Sequence, residues 1–234
     1  MLRLIGFFVL VIFTRRVLEI VPVVGDVLRS LGILGFWVVA IFVGWYLNHL
    51  GAKLLSKRNL DTQVRDLGNV DTPRNQGKLG LLFLDSGKPR AALAPLRNAH
   101  AAQPDSNEWR YGLARVLLSL GQHDEAADHF QFVASQDASY GFGRVLLGLA
   151  EARLDSSSPN GSDIALQALD RHDSDRGATP ESALLRGLVF KRSGRKDEAR
   201  AAFASVGGLA RHLPAAYRRT AFPYQVRAFF ARFS

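Results

Sequence analysis

Two matching stretches decide the fold: KLGLLFLDSGKPRAALAPLRNAH at residues 78–100 and GLARVLLSLGQHDEAADHFQFVA at residues 112–134. They are offset by 34 residues, so that Leu79 and Gly80 correspond to Leu113 and Ala114. A third version, GLVFKRSGRKDEARAAFASV, occupies residues 187–206. A fixed period of this length predicts an array of stacked helix pairs, one pair for each copy.

The copies keep small or apolar residues at the same offsets. These are Gly80, Phe83, Gly87, Ala92, Leu96 and Ala99 in the first copy, Ala114, Leu117, Gly121, Ala126, Phe130 and Val133 in the second, and Gly187, Phe190, Gly194, Ala199, Phe203 and Val206 in the third. We expect the small residues to let the two helices of a repeat approach closely. Glycines at the third offset should end the first helix in a left-handed conformation. No copy buries its apolar face alone, so at least three must stack.

A degenerate copy lies between the second and third good ones. Leu147 and Gly148 fall on the same offset as Leu79 and Gly80, and residues 156–162 form an inserted polar loop. Together these residues, over 73–207, resemble the tetratricopeptide-repeat family, and in particular its membrane-anchored bacterial members. The resemblance implies an all-α solenoid of about four helix pairs with a C-terminal capping segment, whose concave face binds proteins.

The resemblance also implies which side chains line that face. The predicted partner-binding residues are Arg74, Leu81, Glu108, Tyr111, Arg115, Arg153, Lys191 and Arg192, and the same offsets place Phe142 among them. This mixed apolar and basic lining suits an extended or helical segment of acidic character. The alternative is that these side chains are solvated or form contacts between repeats.

The N-terminal part of the chain has a different composition. Residues 31–47, LGILGFWVVAIFVGWYL, carry no charge, and extension to residue 50 gives about 20 residues, enough to span a bilayer. Trp45 and Tyr46 lie where aromatic rings favour the membrane interface. We therefore predict a membrane anchor over residues 1–52 with its main span at 31–50; the alternative is a buried core helix.

A shorter apolar segment at residues 4–25 leaves three possibilities: an uncleaved signal-like anchor, the first arm of a transmembrane hairpin, or a helix lying in the interface. Lys53, Lys57 and Arg58 favour a cytoplasmic location for the rest of the chain, at a bacterial inner membrane. Arg15, Arg16 and Arg29, on the other side of the main span, argue for the opposite orientation.

The net charge of +9 is concentrated at the chain ends. Residues 199–234 contain six arginines and no acidic residue, and within 208–234 the arginines alternate with aromatic residues. We expect this basic aromatic segment to cap the last repeat. The alternatives are contact with anionic lipid and, more remotely, stacking of RNA. Because the repeats themselves are not basic, we expect no nucleic-acid partner.

No catalytic chemistry is visible in the sequence. There is no cysteine, no phosphate-binding glycine loop and no HExxH motif, and the six histidines are scattered. We therefore predict no enzyme activity, no cofactor and no metal. His123, Asp124, Asp128 and His129 form the one cluster of metal-ligating residue types, at the start of a predicted helix.

The sequence thus predicts a membrane-tethered protein-interaction scaffold: an anchor, a linker at residues 53–72, and a solenoid that binds another protein. The partners would be that protein and, through the anchor and the basic C-terminus, membrane lipid. The alternative is an accessory subunit of a membrane or envelope-assembly complex. In that case Gly32, Gly35 and Gly44 would allow specific helix contacts by the anchor.

Overall fold

The computed structural model describes residues 44–46, 60–69 and 71–233. The chain divides into two compact units, residues 1–62 and 63–234. Residues 44–46 and 60–68 are helical. The predicted anchor helices at 4–25 and 31–50 lie outside the described residues, apart from 44–46. In the described ranges, none of the helices combines the length and the apolar character that a membrane span requires.

The second unit is a succession of antiparallel helices. Over the described residues 71–233 they are α1 (Pro73–Asp85), α2 (Pro89–Ala102), α3 (Asn107–Ser119), α4 (His123–Gln136), α5 (Arg144–Leu154), α6 (Gly161–Arg176), α7 (Pro180–Arg192), α8 (Lys196–His212) and α9 (Ala215–Phe233). The helices α1 to α8 form four pairs, which confirms the predicted all-α solenoid. The predicted boundary at residue 207 falls inside α8, and the predicted cap consists largely of α9.

Local signals explain where the helices begin and end. The side chain of Thr72 caps α1, and Thr179 forms a capping box with Ser182 at the start of α7. Gly121, with φ of +78°, ends the turn after α3 in the left-handed conformation that glycine adopts without strain. Gly87 and Gly194 do the same after α1 and α7, as the repeat pattern predicts.

Close approach of helices depends on the small residues of the repeat. A Cβ atom added to Gly80 would lie 2.5 Å from Cγ of Leu96, and one added to Gly148 would lie 2.7 Å from the ring of Phe130. Gly187 is covered in the same way by the ring of Phe203. The expectation that small residues allow the helices to touch is therefore confirmed, both within repeats and between them.

The buried side chains form two clusters. The larger runs from α2 to α7 and includes Leu96, Phe130 and Leu169. The smaller joins α7, α8 and α9 through Leu184, Phe203 and Ala228 among others. Since α9 closes the apolar side of the last pair, it acts as the cap that a solenoid end requires.

Candidate partner-binding groove

The first helices of the pairs lie side by side, and each contacts the next along the row α1, α3, α5, α7 and α9. A groove of about 300 Å³ opens on this row. Its lining residues are Leu84, Tyr111, Arg115, Leu118, Ser119, Phe130, Arg144, Leu147, Gly148, Glu151 and Glu181. They come from four repeats, so the groove exists only in the assembled solenoid.

An aromatic floor lies at the centre of the groove. The half-buried ring of Tyr111 makes edge contacts with Phe130, at 5.8 Å between ring centroids, and with Tyr140, at 5.2 Å. Burial raises the pKa of Tyr111, although the positive charges of Arg115 and Arg144 act to lower it. The phenol is therefore a neutral hydrogen-bonding group held in place by packing.

Two carboxylates, Glu151 and Glu181, also line the groove. Burial raises the pKa of Glu151, Arg227 of α9 opposes the rise, and the neighbouring charge of Glu181 adds to it. Burial, together with Glu181, raises the pKa of Tyr224, so that α9 also reaches the edge of this region. The lining of this groove thus contains basic, acidic and apolar side chains.

Phe142 stands at the approach to α5 in a strained conformation. Its φ is +60°, between the left-handed Gly141 and Gly143, and its side chain is 85% exposed. A Cβ atom added to Gly141 would lie 3.5 Å from the hydroxyl oxygen of Tyr111, so this turn borders the aromatic floor. A bulky residue at positive φ costs about 1–2 kcal/mol, and such strain concentrates at functional sites.

The structure places some of the predicted partner-binding residues at or near this groove. Tyr111 and Arg115 line it, and Arg115 forms an ion pair of 3.2 Å with Asp85. Arg74 and Glu108 are exposed in the first turns of α1 and α3. Leu81 is partly buried and packs against the larger cluster.

The other predicted residues form contacts within the chain. Arg153 is only 9% exposed and donates from Nη2 to Asp128 Oδ1 and Gln131 Oε1, both at 2.9 Å. Lys191 donates from Nζ to the carbonyl oxygen of Ala231 at 3.1 Å, and Arg192 pairs with Asp155 at 3.1 Å. These three side chains connect helices and are not part of the groove lining. Partner binding by the eight residues stays a prediction.

Sequence reasoning missed Arg144, Glu151 and Glu181, although signals for them exist. Glu181 directly follows Pro180, just as Arg74 directly follows Pro73 in the first repeat. Arg144 and Glu151 are seven residues apart, a spacing that puts both on one helix face.

Metal binding and catalysis find no support in the described part of the chain. No three His, Asp or Glu side chains there converge as metal ligands. Asp124, from the cluster noted in the sequence, instead accepts a 2.6 Å hydrogen bond from the hydroxyl of Ser157 and so holds the inserted loop against α4.

Comparison with known proteins relates these repeats to a known family. The sequence model described as "Tetratricopeptide repeat" matches residues 78–141. Those residues are similar to tetratricopeptide repeats. Further helix pairs follow them along the chain. No curated protein sequence matches the chain.

Solved tetratricopeptide-like solenoids share the fold. MamA from residue 41 to its end, from Desulfovibrio magneticus RS-1, is 15% identical, with a TM-score of 0.60 over 72% of this chain and 95% of that one. Another MamA structure is 22% identical, with a TM-score of 0.55 over 67% and 85% of the two chains. A third is 20% identical, with a TM-score of 0.53 over 78% and 94%. At these identities the likeness concerns the fold alone. The tetratricopeptide fold indicates a protein-interaction scaffold, and nothing in the described residues shows catalytic activity.

Proposed function

We propose that this protein is a scaffold that holds a segment of another protein in the groove formed by α1, α3, α5 and α7. The observation that carries the proposal is the lining itself, in which Tyr111 stands together with two arginines, Arg115 and Arg144, and two glutamates, Glu151 and Glu181. A small-molecule site would be more enclosed and more apolar.

The charges define the chemistry of the partner. Its segment carries an acidic side chain where it passes Arg144 and a basic one where it passes Glu151, with an apolar or aromatic residue over Tyr111. Within the described ranges Arg144 forms no ion pair of its own, so its charge is available to a partner. Charge order along the groove would therefore select the direction in which the segment binds.

Phe142 is the proposed anchor at the edge of the groove. A large, exposed aromatic side chain beside a polar groove is typical of a binding hot spot. The ring lies 5.8 Å from Cζ of Arg176 of α6 and is 85% exposed, so that a partner can cover it.

Membrane tethering is part of the same proposal. The uncharged run at residues 31–47 supports a bilayer anchor, and Lys53, Lys57 and Arg58 support a cytoplasmic solenoid at a bacterial inner membrane. The anchor would hold the groove close to membrane-bound partners and would itself contact lipid.

An accessory subunit of a membrane or envelope-assembly complex is the second candidate. The glycines Gly32, Gly35 and Gly44 in the apolar run favour it, because small residues permit close helix contacts in a bilayer. Replacing all three by leucine would leave a simple tether functional and would impair a packed subunit.

A quantitative crosslinking capture from native membranes tests the proposal. The full chain is compared with Arg115→Ala/Arg144→Ala in the groove and with a matched control, Arg97→Ala/Arg171→Ala, on exposed faces of α2 and α6. Arg97, like Arg115, is paired with a carboxylate, at 3.5 Å from Glu125. We expect the groove variant to lose a partner that the control retains. Retention by both variants would place recognition in the anchor or the C-terminus.

A further inference from the structure

A cationic cleft lies outside the groove, between the end of α7, the start of α8 and the end of α9. Its volume is about 310 Å³. The lining residues are Lys191, Lys196, Ala199, Arg200, Phe203, Ala231 and Arg232. Four of these are positively charged and none is acidic, so the cleft can accept an anion.

The acidic residues near the cleft neutralise it only in part. Asp197 lies 3.6 Å from Arg200, but both side chains are largely exposed, so their attraction is weak. Glu198 is bonded to Arg195, which also covers the ring of Phe190 at 4.3 Å. Lys191 donates to the carbonyl oxygen of Ala231 and so ties the cleft to the last turn of α9. Lys196 and Arg232 add charge that no acidic residue of the lining balances.

An aromatic stripe runs along the outer face of α9. Ala221 and Ala228 are 2% and 3% exposed and mark the face that packs on the solenoid. Phe222, Val226 and Phe229, at the helical spacing of four and then three residues, lie together on an exposed flank of the helix and are 63%, 37% and 61% exposed. With Phe230, 68% exposed, they form the aromatic stripe.

The stripe and the C-terminal part of the cleft belong to a segment, residues 199–234, that contains no acidic residue. Arg218 and Arg219 are exposed near the start of α9, and Arg227 and Arg232 follow. A helix with apolar and aromatic residues on one face and arginines around it suits the boundary between lipid headgroups and acyl chains. An acidic protein surface would use the arginines but would leave the aromatic stripe without an apolar environment.

We propose that α9 and the cationic cleft dock on an anionic phospholipid surface, with headgroup phosphates in the cleft and the aromatic stripe at the headgroup boundary. Lys196 and Arg200 bind the phosphate oxygens, and the rings of Phe222 and Phe229 enter the interface. None of the residues that line the cleft or form the aromatic stripe lines the partner groove.

The absence of cysteine from the chain allows a local test. An environment-sensitive fluorophore is attached to the full chain at Phe222→Cys, or at Ser135→Cys on the exposed side of α4 as a control. Each protein is mixed with phosphatidylcholine vesicles, with or without phosphatidylglycerol, in which some acyl chains are brominated to quench the label. Because the signal is local, membrane binding through residues 31–50 alone does not produce it.

We expect a blue shift and quenching at residue 222 with the anionic vesicles, weaker effects with neutral ones, and neither effect at residue 135. Lys196→Glu/Arg200→Glu should weaken the response at least about tenfold, because each cation near an anionic surface contributes on the order of one kcal/mol. Lys88→Glu/Arg90→Glu, which makes the same charge change on α2, should not weaken it.

Several outcomes would overturn the proposal. They are equal quenching by neutral and anionic vesicles, no quenching at residue 222, an unchanged response in Lys196→Glu/Arg200→Glu, and a response to polyglutamate in place of vesicles. Circular dichroism melting verifies that each variant is folded. Lys196→Gln/Arg200→Gln replaces the charge-reversed variant if the latter unfolds, with the same expected direction.

Discussion

At the scale of single residues, glycines set the distance between packed helices, because they have no side chain. Gly187 of α7 lies under the ring of Phe203, which is 5% exposed and belongs to the smaller apolar cluster. Gly208 of α8 has no atom near the place of its absent Cβ. The two glycines therefore differ in what a methyl group would do.

Gly187→Ala should lower the free energy of unfolding by about 1–3 kcal/mol, since overpacking forces the two helices apart. Gly208→Ala should raise it by about 0.5–1 kcal/mol, because alanine loses less backbone entropy in a helix. Urea denaturation of both variants measures the difference. Equal effects of the two substitutions would contradict this account of the packing.

Phe142→Gly should make the protein more stable and a poorer binder. Relief of the left-handed strain is worth about 1 kcal/mol, while loss of the ring removes the proposed anchor. Thermal melting gives the first quantity, and capture of the partner identified with the unmodified chain gives the second. A destabilised variant that still binds would show that the ring serves packing, not recognition.

Glu151 should make the free energy of unfolding depend on pH. Burial raises its pKa above the ordinary 4.5. Between pH 4.5 and the raised pKa, the folded chain therefore keeps a proton that the unfolded chain has lost. Its contribution to stability therefore falls as pH rises from 4.5 through the folded pKa.

Glu151→Gln removes this titration. The stability of the variant relative to the unmodified chain should increase from about pH 4 to about pH 7, because only the unmodified chain loses stability on ionising a buried carboxyl. Urea denaturation at several pH values measures this difference in stability. Glu108→Gln, which removes an exposed carboxyl, is the control. Parallel pH curves for Glu151→Gln and the unmodified chain would contradict the assignment.

At the scale of elements, the junction between α6 and α7 combines the apolar packing of Leu185 and Val189 with polar contacts. Arg186 of α7 donates to Asp170 at 2.6 Å and to Asp173 at 2.9 Å, both on α6. His172, 3% exposed, lies 3.0 Å from the same Asp173. The guanidinium of Arg186 is therefore a polar link between these two helices.

Arg186→Met should lower the free energy of unfolding by about 1–2 kcal/mol, because a partly buried ion pair is worth more than a surface pair and Asp173 is left without its cation. Arg97→Met, which breaks the more exposed pair with Glu125, should lower the free energy of unfolding by less than about 1 kcal/mol. Urea denaturation compares the two variants. A larger loss for Arg97→Met would contradict the role given to Arg186.

The helix pairs could be predicted from the sequence because packing demands the same small residues at every repeat, as at Gly80 and Gly187. The groove could be predicted only in outline. Glu181 follows from the repeat offset, whereas the inward turn of Arg153 towards Asp128 depends on side-chain packing that no spacing encodes. The left-handed backbone at Phe142 is equally invisible, since only its glycine neighbours suggest a turn.

At the scale of the molecule, the chain consists of two units with separate tasks in this account. Residues 63–234 carry the solenoid, whose groove requires four repeats and therefore depends on the stability of the whole array. The apolar N-terminal run supports the proposed tether. The central claim is that the groove, not the tether, selects the protein partner.

Site-specific photocrosslinking in living cells tests this claim most directly. Benzoylphenylalanine is placed at residue 142, where it replaces one aromatic side chain with another, or at residue 135 on the exposed side of α4. We predict a defined protein adduct from residue 142 that disappears in Arg115→Ala/Arg144→Ala, and no such adduct from residue 135. An adduct from residue 135 alone, or one that persists in the groove variant, would contradict it.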